Sequence, residues 1–157
     1  MRFGIASLLL LAAVATGCAP KDAAPSGDTT SSMASTTMAP MLTAEAMAGT
    51  WTGTNMAEVG DSVTGRFTVM STGDAGKLIS EGSKDTVSYT TTFSGDSMTA
   101  ISSAYSDFRA PKGSPKITFK SVGRMVGAKL VGTSTLYMAS KPDSVVGRGR
   151  WEATKAP

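Results

Sequence analysis

The sequence predicts an all-β domain: an eight-stranded antiparallel up-and-down meander closed into a small barrel, with a β-sandwich as the alternative. Three observations carry this reading. Over residues 45–157 no stretch shows a long helical period; short runs rich in Thr, Val, Tyr and Phe alternate with turn clusters. Within the runs, apolar and polar residues alternate with period two, the mark of strands buried on one face. The same segment holds both Trp, all three Tyr and four of the five Phe, so the core must be drawn from it.

The chain has 157 residues, and its N-terminus reads as an address. Arg2 gives a one-charge n-region, and Ile5 to Ala15 is an apolar run of 11 residues. That is too short to span a bilayer comfortably, which takes ~20 residues. Ala15-Thr16-Gly17 then leads to Cys18, the single cysteine of the chain. The order of charge, apolar run and small residues is that of a secretory signal. It also resembles the lipobox of bacterial lipoproteins; the position three before the Cys, usually leucine, is Ala15 here. The resemblance implies cleavage after residue 17, a diacylglyceryl thioether on Cys18 and an acylated amine. The lipid bilayer would then hold the protein through chains contributing ~0.8 kcal/mol per buried CH₂. Ala19 stands where an aspartate retains lipoproteins at the inner membrane, so the resemblance implies the outer membrane in a host that has one.

Residues 18–44 read as a lipidated Cys and a disordered tether. Of positions 19–44, 18 of 26 are Ala, Thr, Ser or Pro, with no aromatic residue and a single Leu. Such a stretch buries too little apolar area to offset its ordering entropy. As a flexible chain it spans ~28 Å. Met33, Met38 and Met41 would suit a soft metal, but with no His in the chain and no second Cys they read as compositional drift, and no metal site is assigned.

The domain, residues 45–157, divides into strands near 49–56, 62–70, 76–81, 86–94, 97–105, 116–125, 128–138 and 144–153. The turns between them have mechanisms. Glu58-Val59-Gly60-Asp61, Gly73-Asp74-Ala75-Gly76, Ser94-Gly95-Asp96 and Val126-Gly127 supply residues that tolerate positive φ. The longest loop, Ser106 to Pro115, contains Pro111, Gly113 and Pro115. Three strands open on related phrases, beginning Gly60-Asp61-Ser62, Gly95-Asp96-Ser97 and Pro142-Asp143-Ser144, a repeated turn-then-strand solution that fits hairpins in series.

Alternation is legible in the strands. Val63, Phe67 and Val69 share one face, as do Val87, Tyr89 and Phe93, and Ile117 and Phe119. Glycines inside strands, at 53, 65, 132, 147 and 149, permit the coiling that closure requires. Closure would pair the first strand with the last and remove two edges open to aggregation.

Gly49-Thr50-Trp51 in the first strand, with Arg148 and Arg150 in the last, resembles the calycin superfamily of lipocalins, fatty-acid-binding proteins and avidins. The resemblance implies a barrel in which Trp51 points inward and a late arginine packs over it at the closed end. Alternation sets a conflict here: Arg148 and Arg150 fall on one face, and Gly147, Gly149 and Trp151 on the other. The analogy therefore expects Trp151 outside or at the rim.

With no histidine, no Ser–His–Asp triad is available, nor a Cys/His zinc site, and one Cys allows no internal disulfide. Asp61, Asp74, Asp96 and Asp143 sit in turns, where Asp caps its own backbone. No catalytic residue is assigned, no cofactor is called for, and the reading is of a non-enzymatic protein. Charge is uneven: residues 45–108 carry 3 basic and 8 acidic side chains, residues 109–157 carry 10 basic and 2 acidic. In a meander this makes one wall basic, suited to an anionic surface. Nucleic acid is not expected for an exported protein.

Two functions remain open. One is a tethered barrel holding a small apolar ligand, with Tyr89, Tyr105 and Phe119 lining the pocket or filling the core. The other is a structural or interaction module that docks to an envelope protein or surface through its basic face.

Overall fold

The computed structural model describes residues 41–157. The signal segment, Cys18 and the tether through residue 40, with Met33 and Met38, lie outside the described residues. The chain order is α1 (Ala44–Met47), β1 (Gly49–Ala57), β2 (Val63–Ser71), β3 (Ala75–Ser80), β4 (Thr86–Ser94), β5 (Ser97–Ser102), β6 (Ile117–Val126), β7 (Lys129–Met138) and β8 (Lys141–Lys155). Each strand pairs antiparallel with the next, and β8 pairs back onto β1, from Trp51 opposite Lys155 to Ala57 opposite Gly149. The sheet is one closed barrel, which removes the sandwich alternative and leaves no edge strand among the described residues.

Most strand boundaries fall within one residue of the sequence reading; three departures are larger, each for a local reason. β8 is longer, with 15 residues: its N-terminal part follows β7 across register shifts and its C-terminal part runs along β1. β5 stops at Ser102, not 105, because the chain there turns into the long loop. Tyr105 nonetheless forms an isolated bridge with Ile117, its N–H and C=O both bonded at 2.9 Å.

The third difference moves the domain boundary. Leu42, assigned by sequence to the tether, is in the core with 5% of its surface exposed, and its N–H donates to Gly95 O at 2.9 Å. α1 follows at once. Thr43 caps it, its Oγ1 accepting from Ala46 N–H at 3.3 Å, and Met47 is buried beneath. One helical turn has no period to read in a sequence. The domain therefore begins at or before Leu42, while Met41 stays 72% exposed.

Inward-facing residues run in rows across the strands. Trp51, Val69, Leu78 and Val87 stand opposite one another on β1 to β4. Phe67, Tyr89, Met98, Phe119, Leu130 and Trp151 complete most of the buried core. Large rings pack against inward glycines. The Phe67 ring covers Gly53, and the Trp151 ring covers both Gly123 and Gly132, its atoms 2.5–2.8 Å from where a Cβ would stand. Any side chain at these glycines would displace the ring, so here glycine supplies space as well as sheet curvature.

Candidate functional site

The two ends of the barrel are built differently. At one end the turns 72–74 and 95–96 meet α1. Ala44 O lies against Gly73, Leu42 bonds Gly95, and Lys155 Nζ donates to Ala46 O at 3.3 Å. Trp51 Nε1 donates to Met47 O at 3.0 Å beneath this plug. This end is closed.

The opposite end carries the connections 58–62, 81–85, 103–116 and 139–140. The loop 103–116 folds back over the opening from β5 and β6 toward β2 and β3. Phe108 leans on the β3–β4 turn, its ring edge 3.6 Å from where a Gly82 Cβ would stand. The Arg109 guanidinium lies over Gly65 of β2, with Cζ 3.4 Å from the corresponding Cβ position. Asp107 braces this stretch, its Oδ1 accepting from Arg109 N–H at 3.0 Å. Around the opening Val59, Val63, Phe108, Val145 and Val146 are exposed.

Between the ends lies a cavity of about 260 Å³. Its wall is mostly apolar, with Trp51, Phe67, Leu78, Met98, Leu136 and Trp151 among its residues, and it reaches from Met47 to Arg109. Two inward hydroxyls, Ser121 and Ser134, bond each other across β6 and β7. Ser102 Oγ accepts from Phe119 N–H at 2.8 Å. Trp151 is the exception. Its Nε1 is buried and has no hydrogen-bond partner among the described residues.

Of the residues singled out from sequence, Trp51 is buried and faces inward. Gly49 adopts φ 119°, a conformation that favours glycine, and starts β1 next to Lys155. The cation over Trp51 is Lys155, with Nζ 5.8 Å from the ring centroid, not Arg148 or Arg150. Alternation along β8 places both arginines on the face opposite Trp151, and both reach the rim of the cavity. Arg150 there clamps the β1–β2 loop, donating to Gly60 O, to Ala57 O at 3.4 Å and to Asp61 Oδ1 at 3.1 Å. Trp151, expected outside or at the rim, is 7% exposed and belongs to the core. Period-two alternation placed it correctly; the family analogy did not.

Tyr89, Tyr105 and Phe119 come together. Phe119 meets Tyr89 at 6.5 Å between ring centroids and Tyr105 edge-on at 6.3 Å. Tyr89 and Phe119 line the cavity, whereas Tyr105 packs behind Phe119 under the long loop. Burial and then the charge of Asp107 push the Tyr105 hydroxyl up to about 12. Burial also raises Tyr89, against an opposing contribution from Ser71.

Sequence reasoning missed Arg109, Asn55 and Lys155. Arg109 carries no signal beyond membership of the longest loop. Asn55 was legible, as a polar residue at an inward position of β1, in register with Trp151 on one side and Gly65 on the other. No protein-family model, curated protein or solved structure matches this chain.

Proposed function

We propose that this chain is a lipid-anchored protein of the cell envelope whose barrel holds a small apolar ligand and performs no catalysis. The observation that carries the reading is the cavity: about 260 Å³ of space, walled by aromatic and aliphatic side chains, inside a barrel sealed at one end. Small barrels fill their interior with side chains. This one has glycine at inward positions 53, 65, 76, 123 and 132, each covered by a larger side chain from elsewhere in the barrel, and still keeps the cavity. The exposed valines and Phe108 around the opening suit the uptake of an apolar molecule.

The outer face supports a barrel standing in water. Thr52, Thr68, Thr90, Lys120, Arg124 and Arg148 occupy outward positions, where a lipid-facing strand would carry an apolar band. Attachment is then assigned to Cys18 in the lipobox-like segment, with the tether to residue 40 as spacer. Fractionation tests this. The wild type should partition into the detergent phase, and Cys18→Ala into the aqueous phase; equal partitioning of both would discard the anchor.

Ligand binding is tested with N-phenyl-1-naphthylamine, a neutral probe that fluoresces in apolar surroundings. Saturable binding near one probe per chain, with energy transfer from tryptophan, is the expected result. Fluorescence that rises without saturation would mean the interior admits no ligand.

A second reading has its own observation. Lys120, Arg124 and Arg148 are exposed on the outer wall formed by β6 to β8, and none is in an ion pair among the described residues. An interaction module docking to an anionic partner would use this wall.

A further inference from the structure

We propose that the outer wall centred on β6 rests on an anionic bilayer, the membrane to which Cys18 is anchored, with Lys120 and Arg124 on the lipid headgroups. The inference rests on the lipid-anchor reading and gives the basic wall its partner.

The outward residues of β6 are Thr118, Lys120, Val122, Arg124 and Val126, every second position of a strand that buries Phe119, Ser121 and Gly123. From Lys120 onward cation and aliphatic side chain alternate, and all four are exposed. Strand register extends the pattern sideways. Exposed Ile101 on β5 stands opposite Lys120, and Val131 on β7 stands opposite Arg124. Arg148 on β8 follows Lys120 across Thr135 in the same row, although its side chain also reaches the cavity rim. β5, β6 and β7 contain no Asp or Glu. Lys120 and Arg124 form no ion pair among the described residues.

The neighbouring wall is different. β4 turns Thr86, Ser88, Thr90, Thr92 and Ser94 outward, five exposed hydroxyl residues without a charge or a large apolar group. Water satisfies such a face. A face that mixes unpaired cations with exposed aliphatics, and carries no acid on its central strands, suits an anionic lipid surface. There the cations meet headgroup phosphates and the aliphatics enter the boundary beneath them.

The start of the domain brings this wall to a bilayer. Leu42 N–H donates to Gly95 O in the turn between β4 and β5. β5 begins two residues later at Ser97, which stands opposite Arg124. The domain therefore begins at a corner of the wall. Between Cys18 and Leu42 lie 23 residues, and a coil of that length spans ~26 Å. β6, with 10 residues, is ~33 Å long, so a bilayer holding Cys18 is within reach of the middle of the wall. A tethered contact is intramolecular, with an effective concentration near millimolar, and needs little intrinsic affinity. The anchor supplies a lipid surface at that concentration and supplies no protein partner, which favours the bilayer.

The test uses the full chain carrying Cys18→Ala, sedimented with vesicles of phosphatidylcholine or of an equimolar mixture with phosphatidylglycerol. Binding should appear with the mixture and not with phosphatidylcholine, which also controls for the apolar run Ile5 to Ala15. Salt near 1 M, where the screening length is ~3 Å, should abolish it. Lys120→Gln and Arg124→Gln should each weaken binding about fivefold, the scale of one cation at an anionic surface, and together about twenty-five-fold. Lys77→Gln removes the same charge from β3, on the far side of the closed barrel, and should weaken it little. All three residues are exposed, so the variants should melt as their parent does. Cys18→Ala also removes the single thiol of the chain, so Val122→Cys or Met70→Cys then carries one polarity-sensitive dye. The dye at 122 should shift to the blue on mixed vesicles; the dye at 70, on the opposite strand β2, should not. If Lys77→Gln weakens binding as much as Lys120→Gln, or the two dyes shift alike, attraction is to net charge and the docking wall is wrong. Failure to bind the mixture also overturns it and leaves the wall to an anionic protein, while detergent partitioning of the wild type judges the anchor separately. Vesicle binding alongside equal partitioning of wild type and Cys18→Ala would discard the anchor and keep the docking wall.

Discussion

Trp51 and Trp151 sit on paired strands inside the same barrel, and they are nearly equally buried, at 4% and 7% exposure. Their surroundings differ in kind. Trp51 is fully partnered: its N–H reaches Met47 O at 3.0 Å, and Lys155 stands over its ring. Trp151 covers two glycines with its ring and leaves its N–H without an acceptor among the described residues. The first arrangement closes the barrel, joining α1, β1 and the end of β8. The second borders the cavity and is incomplete. One tryptophan is fully partnered and the other retains unmet hydrogen-bonding capacity, and unmet capacity in a native interior points to a ligand.

Truncation should show the largest difference. Trp51→Ala is expected to cost ~3–5 kcal/mol, as other buried Trp or Phe truncations do. It also strands the Met47 carbonyl. Trp151→Ala removes comparable ring packing over Gly123 and Gly132 but relieves a buried unsatisfied donor, an offset of ~1–3 kcal/mol. Thermal melts should therefore rank Trp51→Ala below Trp151→Ala, and both below the wild type. If Trp151→Ala melted lowest, the contrast between the two ends would not hold.

Leu42→Ala probes the closed end from its other side. The side chain is buried under the turn at Gly95, so the change should cost ~2–4 kcal/mol. A melting temperature equal to the wild type would return Leu42 to the tether. The conservative pair gives a smaller and sharper contrast. Trp51→Phe loses one buried hydrogen bond, ~1 kcal/mol, whereas Trp151→Phe loses none and should be neutral or slightly stabilising.

These contrasts also mark what the sequence could convey. The strands and their closure were legible because period-two alternation and positive-φ turns are local signals. Trp51 at the closed end was expected from the family resemblance rather than from these local signals. A cation over Trp51 was anticipated from β8, but it is Lys155. β8 runs two residues past the boundary read from sequence, and only the β1 register shows which cation arrives there. Leu42 and α1 were lost because one apolar residue in an Ala/Thr/Pro-rich stretch has no neighbours to form a pattern with. The loop over the opening was lost for a deeper reason. Arg109 and Gly65 are 44 positions apart, and their contact depends on how a loop with three Pro or Gly residues folds back, which no periodicity encodes.

The smallest expected effect is a pH dependence confined to the open end. Tyr105 bridges to Ile117 and packs behind Phe119 beneath the loop that carries Arg109. Burial, then the Asp107 charge, raises its hydroxyl from the ordinary tyrosine value of 10.0 to about 12. A folded value above the unfolded one means that the fold favours the neutral phenol. The resulting stability is complete below pH 10 and is lost as pH rises toward 12. Melting temperature should accordingly fall across that interval. Tyr105→Phe, which cannot ionise, should fall less steeply over the same interval. A residual slope should persist, since burial raises Tyr89 in the same direction. Every other group is common to both proteins, so the difference between the two slopes isolates Tyr105. The loop it anchors should loosen first. Affinity for N-phenyl-1-naphthylamine should therefore fall with rising pH more steeply in the wild type than in Tyr105→Phe, before the signal of Trp51 at the closed end changes. Identical slopes in the two proteins would show that Tyr105 ionises in the folded state without cost, and that the loop over the cavity does not depend on it.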